Sequence, residues 1–135
     1  MKKLFSIKYS DNGISFATLV MRVVFGGLMI PHGYSKLMHF SSMSTKMIDP
    51  FHIGQPTSLA LSLFAEFFCA VFIIMGLFTR LACIPLIINM SVALFVAHHG
   101  DAFGVGDKAA LFLGAFVTLL FTGPGKISLD RFIGK

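Results

Sequence analysis

The sequence predicts an all-α fold, a polytopic membrane bundle of four helices. Three observations predict it. Four apolar stretches (residues 14–30, 59–78, 81–97 and 109–121) each run to, or nearly to, the ~20 residues that cross a bilayer's hydrocarbon core. The composition is 56% hydrophobic and 13% charged, against about 25% charged in an ordinary soluble domain, and the mean hydropathy is +0.83. The strongest turn and terminator clusters, Asp11-Asn12-Gly13, the 38–57 stretch, the glycine-rich 98–107 loop and Gly123-Pro124-Gly125, flank the stretches. Four spans occupy about 80 residues at this length, which leaves only short termini and loops. Any chemistry must then lie within the bundle or at its rim.

Residues 1–13 form a basic lead, the N-terminal segment outside the membrane. Lys8, Asp11, Asn12 and Gly13 interrupt it before the first apolar run, and no small-residue cleavage site follows that run. The first run is therefore read as a retained helix and not as a signal peptide. Asp11-Asn12-Gly13 reads as a turn or helix start, and the first helix is expected to run from about Ile14 to the region of Leu37, with Pro31 bending or ending it. The stretch 38–57, punctuated by Pro50, Gly54 and Pro56, is the longest loop, with room for a short interfacial segment over 47–53. The second helix starts near Ser58, capped by Thr57 or Ser58. Gly76-Leu77-Phe78-Thr79-Arg80 is so tight a link that the second and third spans must be antiparallel neighbours. Pro85 sits early in the third helix. A glycine-rich loop follows from His98 to Asp107, and the fourth helix ends at Gly123-Pro124-Gly125. The membrane domain thus covers 14–123, and residues 124–135 are an amphipathic tail able to lie on the membrane surface.

Lys and Arg sort by side. Lys2, Lys3, Lys8, Arg80, Lys126, Arg131 and Lys135 share the side of the termini; Lys36, Lys46 and Lys108 lie on the other. The excess places both termini in the cytoplasm. The same sorting disposes of the nucleic-acid reading that a net charge of +5 invites, because no basic stripe lies on a soluble face. Cys69 and Cys83 sit in apolar runs at no motif spacing and are read as packing residues.

Each span carries small or polar residues on one stripe: Thr18, Arg22 and Gly26; Ser62, Glu66 and Ala70; Asn89, Ala93 and Ala97; Ala110, Gly114, Thr118 and Thr122. Such stripes let helices approach closely in lipid, so all four are expected to face inward. Arg22 and Asn89 each lie about eight residues, roughly 12 Å, into their spans from the side of the termini. Glu66 lies a similar distance in from the opposite side, which leaves a gap of about 6 Å that Asn89 or a water would bridge. An ionisable group at such depth is costly. It reads either as a pair that fixes helix register or as a proton or quinone-head-group site, with Arg22 and Glu66 the candidate catalytic groups. The five histidines, His32, His39, His52, His98 and His99, all fall on the side opposite the termini. Their spacing matches no zinc motif, and no metal site is expected.

Arg22, then His32-Gly33 and Lys36, then Glu66 and Gly76-Leu77-Phe78-Thr79-Arg80, then Gly123-Pro124-Gly125-Lys126-Ile127-Ser128-Leu129-Asp130, in this order across four spans, resembles the DoxX family of small membrane proteins. The resemblance implies a four-helix bacterial inner-membrane protein, with Arg22, His32, Gly33, Lys36, Glu66, Gly123, Gly125 and Asp130 as family positions. Asp107-Lys108 stands where many relatives begin the fourth helix with Glu. Relatives include a subunit of an archaeal thiosulfate:quinone oxidoreductase and members tied to oxidative-stress and thiol-handling complexes. One reading is a redox subunit that binds quinone through Arg22, His32, Lys36, Glu66, Asn89 and His98 and takes electrons from a soluble oxidoreductase partner; it fits the buried polar stripe and the archaeal relative. Two other readings stay open: a non-enzymatic scaffold that recruits soluble redox partners, and a small proton-coupled transporter, whose cavity a homodimer would complete.

Overall fold

The computed structural model describes residues 1–134; Lys135, the last of the expected cytoplasmic charges, lies outside the described residues. The chain is all-α, with six helices among the described residues: α1 (Asp11–Met38), α2 (Phe40–Met43), α3 (Gln55–Met75), α4 (Thr79–Ala97), α5 (Asp107–Thr122) and α6 (Asp130–Ile133). α1, α3 and α4 are long and apolar enough to cross a membrane. α5 has 16 residues, about 24 Å of helix, short of the ~30 Å hydrocarbon core. α1 packs on α3 and α5, and α4 on α5 and α3. Between them lies a core that includes Met29, Cys69, Ile73, Cys83, Leu86, Phe116 and Leu119.

α1 starts at Asp11, where the Ser10 hydroxyl accepts from the Gly13 N–H at 3.0 Å. Pro31 does not end it; the helix continues two further turns to Met38. Proline removes one N–H and crowds the carbonyl four residues earlier. Here that residue is Gly27, which has open space around it, so the helix accommodates the ring. The expected Thr57 or Ser58 cap on α3 is also replaced. Gly54 occupies the cap position, and Asp49 reaches across from the loop, accepting from Ile53 and Gly54 N–H and from the Ser58 hydroxyl at 3.0, 2.8 and 2.8 Å. Partial desolvation pulls the Asp49 pKa up, but these three donors and nearby His52 outweigh it and hold the carboxyl below its ordinary value.

Two stripes depart from expectation. On α5, Gly114 and Thr118 face outward, while Ala109, Phe112, Ala115, Phe116 and Leu119 face the core. The aromatic packing of Phe112 on Phe25 and Phe116 already fills the interior, and the Thr118 hydroxyl donates to the Gly114 carbonyl at 2.8 Å, so it can face lipid without an orphaned donor. On α4 the buried line is Ala82, Cys83, Leu86, Met90 and Leu94, with Asn89, Ala93 and Ala97 on its flank. The stripes of α1 and α3 do face inward: Thr18, Arg22, Gly26, Ser62, Glu66 and Ala70 are all buried. Cys69 and Cys83 are free and buried.

The tail folds back over the end of the bundle. Asp130 accepts from the Phe78 and Thr79 N–H groups at 2.6 and 2.9 Å, and so caps the start of α4. The link it closes turns on Gly76, at φ +69. A Cβ there would lie 2.7 Å from Arg22 Nη2, so both the backbone angle and the packing demand glycine.

Candidate functional site

Two buried ionisable centres lie at different levels of the bundle, one toward the end of the termini and one near its middle. At the end of the termini, Arg22 donates from Nε to the Ile73 carbonyl (2.9 Å), from Nη2 to Ile74 (3.0 Å) and from Nη1 to Pro124 (2.8 Å) and Ile127 (2.6 Å). Its acceptors are carbonyls at the C-terminal end of α3, where the helix dipole concentrates partial negative charge, and carbonyls of the tail. The planar fork of donors suits several carbonyls at once. Arg22 is 2% exposed and makes no ion pair with Glu66. The two α3 segments concerned, Glu66 and Ile73, are seven residues apart along one helix, about 10 Å. The polar centre expected to join Arg22, Asn89 and Glu66 is therefore divided, with Arg22 acting as a clasp for the tail.

Glu66 forms the second centre. Oε1 pairs with Lys36 Nζ at 2.6 Å and accepts from Asn89 Nδ2 at 2.7 Å and from the Ser62 hydroxyl at 3.5 Å. Lys36 also donates to Ser62 at 2.7 Å. Three helices meet here, and the sequence arranges it in three ways. Lys36 lies fourteen residues after Arg22, four turns along the same buried face through Gly26, Met29 and Gly33. α3 passes through a π-helical segment, Phe64–Cys69, that contains Glu66; such segments recur at functional positions. Gly33 lets α1 reach this segment: a Cβ there would lie 2.7 Å from the Phe67 nitrogen and 2.8 Å from the Glu66 carbonyl carbon.

The other carboxylate oxygen, Oε2, is buried with no hydrogen-bond partner. Glu66 lines a cavity of about 340 Å³ whose walls include Met29, His32, Met90, Ala93, His98, Lys108 and Phe112. That volume lies in the small-molecule range and would hold about eleven waters. His32 stands edge-on to Phe112, ring centroids 6.1 Å apart. Of the sequence candidates, then, the structure gathers Lys36, Glu66 and Asn89 into one network, brings His32 and His98 to the same cavity, and leaves Arg22 apart. Sequence reasoning missed Ser62 as a polar partner and Lys108 as a cavity wall. Ser62 carried a signal, four residues before Glu66 on the same face. Among the described residues no three His, Cys, Asp or Glu side chains gather as a metal shell.

The DoxX family model matches residues 17–99, more than half of the chain. The chain belongs to the DoxX family. Inner membrane protein YphA of Escherichia coli K12 is 30% identical over 140 residues, covering 93% of this chain and 98% of YphA. An uncharacterized membrane protein of Mycobacterium tuberculosis H37Rv is 26% identical over 135 residues, covering 88% and 82%. A Haemophilus influenzae Rd protein is 30% identical over 118 residues, covering 82% and 86%. No solved structure matches the chain. The matched segment of this DoxX protein contains Arg22, Gly33, Lys36, Glu66 and Asn89, hence both buried centres except for the tail carbonyls that Arg22 clasps.

Proposed function

We propose that this DoxX protein is the inner-membrane, quinone-binding subunit of an oxidoreductase system, with both termini in the cytoplasm. The single observation that carries the reading is the partnerless Oε2 of Glu66 beside the 340 Å³ cavity. A buried acceptor without a donor is costly, and a bound hydroxyl would satisfy it. The cavity's remaining polar groups, the His32 and His98 imidazoles and the Lys108 ammonium, are donors suited to a carbonyl. Acceptor and donors together fit the two forms of a quinone head, hydroxyl and carbonyl. A quinone, when bound, carries two electrons and two protons between partners.

The chain's own groups supply the protonic side. Lys36 and Asn89 hold Glu66 Oε1 and leave Oε2 free to accept a hydrogen bond. His32 is exposed and His98 partly so, which connects the cavity to the rim. The sequence carries no flavin, haem or iron–sulfur motif, so electrons come from a soluble partner. The inner-membrane assignment follows YphA, and the orientation follows the excess of Lys and Arg at the end of the termini.

The test is mass spectrometry of the small molecules retained through mild detergent purification. Expected is close to one quinone per wild-type chain, lost in a Glu66→Gln protein that still folds. Bulk phospholipid alone, equal in both, would overturn the reading and favour the scaffold. A reporter fused after Lys46 tests orientation; a cytoplasmic signal there would reverse it.

A further inference from the structure

A second cavity, of about 260 Å³, opens sideways between α3 and α4 beneath the loop that Asp49 fastens. Its walls are apolar, and Leu61, Phe64 and Ile88 at its mouth are exposed, as residues facing hydrocarbon are. Its floor is polar: Ser62 and Asn89, both partners of Glu66 Oε1, line it. Asn89 has spent one amide N–H on Glu66, and among the described residues nothing donates to its Oδ1. Asn89 lies ten residues into α4, about 15 Å and so near the middle of the ~30 Å hydrocarbon core.

We propose that this lateral groove binds a neutral, lipid-soluble molecule that carries one hydrogen-bonding oxygen group on a hydrocarbon body, with Asn89 reading the oxygen. Depth and chemistry select this occupant. Phospholipid head groups stay at the surface, level with the groove's loop wall over residues 47–53, so a phospholipid would bring only methylenes to the depth of Asn89 and leave its spare amide groups unpaired. A charged head would find no countercharge, since Lys36 and Glu66 already neutralise each other. A ketone or alcohol dissolved in the bilayer core meets both demands. The groove is separate from the central cavity, and its occupancy does not depend on the quinone reading of Oε2.

The test uses 4-octylbenzophenone, a neutral ketone that is its own photolabel, in proteoliposomes of the full chain. Expected is labelling concentrated at residues 61–64 and 88–92 that is saturable and competed by excess octanophenone. Ile88→Trp, which fills the groove without touching its polar floor, should cut labelling at least fivefold. Asn89→Leu should do the same. A folded Lys108→Met protein, altered at the central cavity and not at the groove, should label within twofold of wild type. Labelling that does not saturate, that matches the density on the outer face of α1 at Val20 and Val23, or that survives Asn89→Leu would overturn the proposal. So would loss of labelling in a folded Lys108→Met protein, which would put the ligand in the central cavity.

Discussion

Lys36→Met removes the cation that pairs with Glu66 and leaves a buried carboxylate with Asn89 and a long contact to Ser62. The side chains of the pair are 16% and 6% exposed, so both charges sit largely out of water. Breaking such a pair from one side costs about 3–5 kcal/mol, because the surviving charge is left uncompensated. The partial exposure of Lys36 puts the expected loss near the lower end, about 3 kcal/mol. Glu66→Gln should cost less, about 1–3 kcal/mol, since the ammonium keeps Ser62 and some access to solvent. The double variant Lys36→Met/Glu66→Gln leaves no unpaired charge, so its loss should fall about 2 kcal/mol below the sum of the singles, within the range of directly contacting residues. Unfolding of the detergent-solubilised protein by SDS, followed by circular dichroism, measures all three. Additivity within about 0.5 kcal/mol, the behaviour of distant sites, would show that the 2.6 Å contact does not organise the centre.

Gly33→Ala places a methyl group against the backbone of α3 at Glu66 and Phe67, where nothing can rotate away; a loss of about 1–3 kcal/mol is expected, read as a lowered melting temperature, whereas Gly27→Ala, in open space, should be neutral. Asp130→Ala removes the acceptor for two N–H groups at the start of α4 and should cost about 1–2 kcal/mol, with Asp130→Asn milder because one oxygen remains; protease cleavage after Lys126 reports the loosened tail. The Asp49 carboxyl is held below its ordinary value, so its contribution is complete above that value and disappears as the pH falls through the lower folded one. Hydrogen exchange over residues 49–58 should rise below about pH 4 and stay flat from pH 5 to 8; a rise on the alkaline side would contradict the assignment.

Three of the spans, the links and the inward faces of α1 and α3 were legible because each rests on local rules: apolar length, Gly and Pro as terminators, and small residues where helices cross. The partner of Glu66 was not. The first helix is expected to reach the region of Leu37, but a bend or end at Pro31 would carry Lys36 off the buried face. Once the helix is known to run to Met38, Lys36 falls on the face already marked by Arg22 and Gly26, at the level of Glu66. The outward turn of Gly114 and Thr118 was hidden for a different reason. A small-residue stripe shows where close packing is permitted, and only the volume of Phe112 and Phe116 on the adjoining face determines which side the core uses. The cap from Asp130 spans more than fifty residues of sequence, beyond the reach of any local pattern.

The clasp around Arg22 sets an order on biogenesis. Two of its four carbonyls, those of Pro124 and Ile127, belong to the last segment to be translated, more than a hundred residues after the arginine itself. At ribosomal speeds of 5–20 residues per second the first helix waits roughly 5–20 s for them. Throughout that interval a guanidinium in the earliest span lacks at least half of its shell, and a chain that stops short of the tail never completes it. The first helix is thus finished chemically only by the last residues of the chain.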